Sequence, residues 1–70
     1  MKVIANVMRE PGEKNYSCSL KVDAVKGVVL GCGTSAKAAI ADMLRGWNEG
    51  AEYLKEEGKD VPTLEIEYRF

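Results

Sequence analysis

From Ser35 to Glu57 the apolar residues Ala36, Ala39, Ile40, Met43, Leu44, Trp47, Ala51 and Leu54 recur at steps of three and four. That spacing gathers them into one stripe along a helix. Thr34 or Ser35 offers a hydroxyl to an unpaired N–H of the first turn. Gly58 supplies a C-terminal stop, and Pro62 prevents the helix from resuming. The other segments read as strands. A single helix can bury only one face of a sheet, so the opposite face is left to solvent or to another molecule.

Lys2 to Arg9 reads as a first strand, with Val3, Ala5 and Val7 on one side and Ile4 and Met8 on the other. Apolar groups on both faces suit a central position. Pro11-Gly12-Glu13-Lys14 is a turn. Asn15 to Val22 is a second strand; Tyr16, Cys18, Leu20 and Val22 share one face, and Ser17, Ser19 and Lys21 the other. The short turn makes these two an antiparallel hairpin. Asp23 to Lys26 is a connection. Gly27 to Cys32 is a third strand, with Val28, Leu30 and Cys32 facing inward and Val29 outward. Thr63 to Phe70 is the fourth, its Leu64, Ile66, Tyr68 and Phe70 alternating with Glu65, Glu67 and Arg69. The order is β-β-β-α-β, an α+β domain spanning residues 1–70. Its uncovered sheet face is expected to carry Ile4, Met8 and Val29 among Ser17, Ser19, Glu65 and Glu67, as a surface for self-association or for a partner.

Composition narrows the function. Ten basic against eleven acidic residues give a net charge of −1, and the Lys and Arg residues are dispersed, which argues against an independent nucleic-acid-binding domain. With no His, no Ser-His-Asp triad, Cys-His pair or His-based metal site can form. No nucleophile–base pair stands at a recognisable spacing, so the reading is non-enzymatic and without a cofactor. No run of about 18 apolar residues is present for a membrane span, and Met1 to Asn6 does not open a signal peptide; the cytoplasm is the default compartment.

Cys18 and Cys32 read as two core thiols, because a metal needs more ligands and a cytoplasmic disulfide is rare. Gly31-Cys32-Gly33-Thr34-Ser35 runs from a strand into a helix, where an anion could sit. It lacks the Gly-Lys-Ser/Thr ending of a phosphate loop, and Ala36 stands where a dinucleotide loop has its third Gly. A tight turn with an N-cap is favoured, and an anion-binding regulatory domain stays as an alternative. Gly46 and Gly50, flanking Trp47, each cost the helix about 1 kcal/mol relative to Ala and suggest that it crosses the sheet closely there; Trp47 itself reads as core. Glu49, Glu52 and Glu56, with Glu57 and Asp60 nearby, make the second half of the helix acidic. A solvated face is the plain reading, and a surface for a basic partner the functional one.

The segment from Gly31 to Pro62 resembles the HicB-like antitoxin family. The resemblance rests on Gly33-Thr34-Ser35, then Ala39-Ile40, Leu44 and Leu54, then Glu56-Glu57-Gly58-Lys59-Asp60-Val61-Pro62. The preceding strands, the second opening at Tyr16, extend it across the chain. Two features depart from the family: Asp23-Ala24-Val25-Lys26-Gly27 keeps the Gly of a turn but lacks its Pro, and no DNA-binding segment follows Phe70. The resemblance implies a truncated RNase H-like fold, a four-stranded mixed sheet of order 3-2-1-4 with one long helix packed on one face. The crossover would then set the last strand parallel beside the first. No catalysis is implied, because Lys2 to Arg9 has no carboxylate for that fold's metal cluster. The function implied is a protein-interaction module, homodimeric, that neutralises a basic ribonuclease toxin by direct binding. A small nucleic-acid-binding domain, similar to double-stranded-RNA-binding domains, is the alternative of a different class.

Overall fold

A computed structural model describes residues 1–9, 11–22 and 27–70. The elements are β1 (Lys2–Met8), β2 (Tyr16–Val22), β3 (Gly27–Gly33), α1 (Ala36–Glu56) and β4 (Glu65–Arg69). They form one mixed sheet in the order β3-β2-β1-β4. β1 pairs antiparallel with β2 and parallel with β4, and β2 pairs antiparallel with β3. The α+β class, the strand order and the placement of β1 inside the sheet are those expected from the sequence. Residues 23–26, read as a connection, lie outside the described residues.

Local chemistry accounts for the boundaries. Gly12 turns the first hairpin with φ +83°, a conformation that costs a glycine little. Across that hairpin the Arg9 guanidinium lies 5.6 Å from the Tyr16 ring centroid, within cation–π range. Ser35 caps α1: its Oγ accepts the Ala38 N–H at 3.1 Å. At the other end Gly58, φ +74°, donates to the Lys55 carbonyl at 3.0 Å, and Lys59 donates to the Leu54 carbonyl at 2.9 Å. Those two bonds are the paired closure of a Schellman motif, which only a residue tolerant of positive φ completes without strain.

The core lies between α1 and one face of the sheet. Ala5 and Val7 of β1, Cys18, Leu20 and Val22 of β2, and Ala39, Met43 and Trp47 of α1 are buried together. No polar or charged side chain is buried among the described residues. The helix lies chiefly over β3 and β2 and meets β1 only at its margin. Val3, Leu64, Ile66 and Tyr68, on the same face beyond it, are therefore only half-buried. At 1.5 Å per residue α1 runs about 31 Å, against about 23 Å for a seven-residue strand. The helix is thus longer than the strands it covers, and the molecule measures 43 × 20 × 17 Å.

Candidate functional site

The face of the sheet away from α1 is the candidate site, and the strand registers fix its membership. Leu20 is fully buried and stands opposite Val29; Cys18 is fully buried and stands opposite Gly31. Val29 and Gly31 therefore face the helix, and Val28, Leu30 and Cys32 face away. This corrects two expectations. Val29 does not belong to the open face: it is half-buried, and its Cγ1 lies where it would meet a Cβ added to Gly46 at 3.1 Å. Cys32 is not a core thiol but an exposed one; only Cys18 is buried. Burial raises the Cys18 thiol above its ordinary pKa, because a thiolate there would lose its hydration.

The physical reason is the closeness of the helix. A Cβ on Gly31 would come within 2.3 Å of the Met43 nitrogen and 2.5 Å of the Ala39 oxygen; one on Gly33 would meet the Ala38 Cβ at 2.6 Å. The face of β3 beneath α1 must be nearly bare, so the strand's larger apolar side chains point the other way. The glycines of Gly31-Cys32-Gly33 are thus occupied by helix packing, and the first-turn N–H of Ala38 is taken by Ser35.

The open face is assembled from rows across the strands. Leu30 stands beside Ser19, which stands beside Asn6, which stands beside Arg69; Cys32, Ser17 and Met8 form the next row. Ile4 lies beside Glu67, and Val28 beside Lys21. Ile4 is 42% exposed, Met8 55%, Val28 55% and Leu30 68%. These exposed apolar groups form two strips, on β3 and on β1, with the hydroxyl and amine groups of Ser17, Ser19 and Lys21 on β2 between them. The expected members Ile4 and Met8 are there, and Val28, Leu30 and Cys32 join them. Along the β1–β4 boundary a hollow of about 460 Å³ is lined by Lys2, Val3, Ile4, Glu65, Ile66 and Glu67.

The acidic residues form a separate surface. Glu49, Glu52 and Glu56 are all exposed on the second half of α1, around Tyr53, which is 60% exposed. They carry no ion pair to a described residue. Among the described residues no three His, Cys, Asp or Glu side chains gather as a metal-holding group, and no helix is long and apolar enough to cross a membrane.

The two edges of the sheet differ. On β3, the Cys32 N–H points out of the sheet and donates to the Asp42 carboxylate of α1 at 3.0 Å, and the same carboxylate pairs with Arg45. A helix side chain thus occupies a donor that would otherwise invite another strand. On β4, Glu65 donates its N–H inward to the Met1 carbonyl at 2.8 Å. Backbone groups alternate sides along a strand, so the N–H and C=O groups of Ile66 and Tyr68 point outward from the edge. No hydrogen bond from a described residue covers them.

Set against protein-family models, curated proteins and solved structures, the chain matches none.

Proposed function

We propose that the chain is a small non-enzymatic protein-interaction module of HicB-like antitoxin type, acting as a homodimer and neutralising a basic ribonuclease toxin by covering it. The observation that supports this reading is the uncovered sheet face, where Ile4, Met8, Val28 and Leu30 stand exposed together. Two exposed apolar strips, Val28 and Leu30 on β3 and Ile4 and Met8 on β1, flank the polar column Ser17, Ser19 and Lys21 of β2, a mixture that suits a protein partner: the aliphatic groups give affinity when desolvated and the polar groups between them give register. The acidic end of α1 complements a basic partner and would speed the encounter more than tighten the complex.

The test uses the small basic ribonuclease retained by the tagged chain from its own cells, purified and assayed for RNA cleavage. Cleavage should fall with added wild-type chain and persist with Leu30→Glu, which buries a charge in any contact made by the open face. A Leu30→Glu chain that folds and inhibits as well as wild type, or the absence of any retained ribonuclease, would overturn the reading.

A further inference from the structure

We infer that the outer edge of β4 is the site where a second copy of this chain binds, by antiparallel pairing of β4 with β4 centred on Glu67. This rests on the homodimer in the proposed function and adds to it which surface the second copy takes, leaving the open sheet face for another protein.

Backbone directions come first. In an antiparallel pair, residues that stand opposite one another either both point their N–H and C=O groups across the junction or both point them away. On β4 the outward groups belong to the even-numbered residues Ile66 and Tyr68. Only registers that match even with even can close hydrogen bonds. Centring on Glu67 sets Ile66 opposite the second copy's Tyr68 and uses both outward residues of each strand.

The side chains agree with that register. It sets Glu65 opposite the second copy's Arg69, and Arg69 opposite its Glu65. It also sets Leu64 opposite Phe70. Apolar residues therefore meet apolar ones on the helix side, and opposite charges meet on the open side. The one like-charged pair, Glu67 with its copy, is moderated because Glu67 already holds Arg69 of its own chain, Nη2 to Oε2 at 3.1 Å. Such cross-strand pairs are the usual source of sheet specificity.

The packing gives the edge something to bury. The helix lies chiefly over β3 and β2, so Ile66 and Tyr68 are half-covered, and Phe70 is 83% exposed. A second β4 laid alongside extends that apolar strip. The β3 edge has open groups as well, on Val28 and Leu30, but Asp42 of the helix already holds its Cys32 N–H and so interrupts the row that a second strand would need.

Sedimentation equilibrium on the full chain tests this through charge reversal at exposed positions that leave the core untouched. Arg69→Glu alone, or Glu65→Arg alone, turns two attractive cross-strand pairs of the dimer into repulsive ones. From the size of such pairs, each should raise the dimer Kd on the order of tenfold. The double variant Glu65→Arg/Arg69→Glu restores both pairs and should recover most of the lost affinity, falling short of wild type by the Glu67 pair that Arg69 no longer moderates. Tyr68→Pro, which removes an outward N–H at an edge where Pro is tolerated, should abolish the dimer. A monomer at all concentrations would overturn both this assignment and the homodimer. A dimer that ignores all four variants but is lost in Leu30→Glu would overturn the β4 assignment alone and place the second copy on the open face.

Discussion

Gly31→Ala is the sharpest perturbation of the packing described above. The added Cβ would lie 2.3 Å from the Met43 nitrogen, 2.5 Å from the Ala39 oxygen and 2.7 Å from the Met43 Cα. All three are backbone atoms of α1, so no side chain can rotate aside and the helix itself must retreat by about 1 Å. A gap of that size forfeits roughly a quarter to a half of the dispersion energy across the seam, within the buried cluster that Met43 and Trp47 share with Leu20 and Val22. Overpacking of a tight core costs about 1–3 kcal/mol, and clash against backbone belongs at the upper end. The loss of chain entropy in the unfolded state returns about 0.4–1 kcal/mol. The net is a destabilisation of about 2 kcal/mol in a domain whose size implies only about 4–10 kcal/mol in total. Gly46→Ala is the matched control: its Cβ would press only on the Cγ1 of Val29, at 3.1 Å, which can shift, and would lie at ordinary contact, 3.9 Å, from the Leu30 oxygen. A gain of about 1 kcal/mol in helix propensity offsets that contact. Urea unfolding followed by the fluorescence of Trp47, at one fixed chain concentration, reads both. With a slope near 1 kcal/mol/M, Gly31→Ala should lower the midpoint by about 2 M and Gly46→Ala should leave it within about 1 M. Equal midpoints for Gly31→Ala and wild type would refute the close approach of α1 to β3.

Other expectations follow from single contacts. Ser35→Ala removes the acceptor of the Ala38 N–H and should cost about 1 kcal/mol in the same unfolding assay. Asp42→Ala releases the Cys32 N–H on β3; light scattering should then show association beyond a dimer as concentration rises, with wild type expected to stay at the dimer mass. In the folded protein a thiol reagent should modify the exposed Cys32 promptly and Cys18 only after denaturant is added, as peptide mass mapping will read. Because the folded-state pKa of Cys18 is raised by burial, the unfolded chain loses that proton first. Its contribution is intact below the unfolded thiol pKa of about 8.5 and declines as pH rises above it. Stability measured from pH 7 to 10 should therefore fall more steeply for wild type than for Cys18→Ala.

The helix, a hydroxyl cap at Thr34 or Ser35 and the Gly58 stop were legible because a three-to-four spacing bounded by particular residue types leaves few alternatives; that Ser35 is the cap comes from its bond to the Ala38 N–H. The central place of β1 was legible for a similar reason, since Ala5 and Val7 on one face and Ile4 and Met8 on the other need different environments. The face of β3 was not. Counting apolar side chains sets Val28, Leu30 and Cys32 inward, yet the bare Gly31 and Gly33, next to Val29, lie under the helix. The signal was present as small residues on both partners, glycines at every second or fourth strand position and Ala36 and Ala39 on α1. It outweighs hydrophobicity only where a helix packs close enough to exclude a Cβ. The candidate site was accordingly half legible: Ile4 and Met8 fall on it, Val29 does not, and Val28 and Leu30 become evident only through the register. The difference between the two edges is not written in any local pattern, because Asp42 reaches Cys32 only once α1 is seated on β3.

The most direct test of a module with separate surfaces for its own copy and for another protein is the mass of the tagged chain isolated from its own cells. Light scattering would compare wild type with Leu30→Glu, side by side. Wild type is expected as a dimer of the 7.7 kDa chain carrying a second, basic protein. Leu30→Glu is expected as the bare dimer. A wild-type mass of a single chain, or identical masses with the same bound protein in both samples, would contradict the assignment.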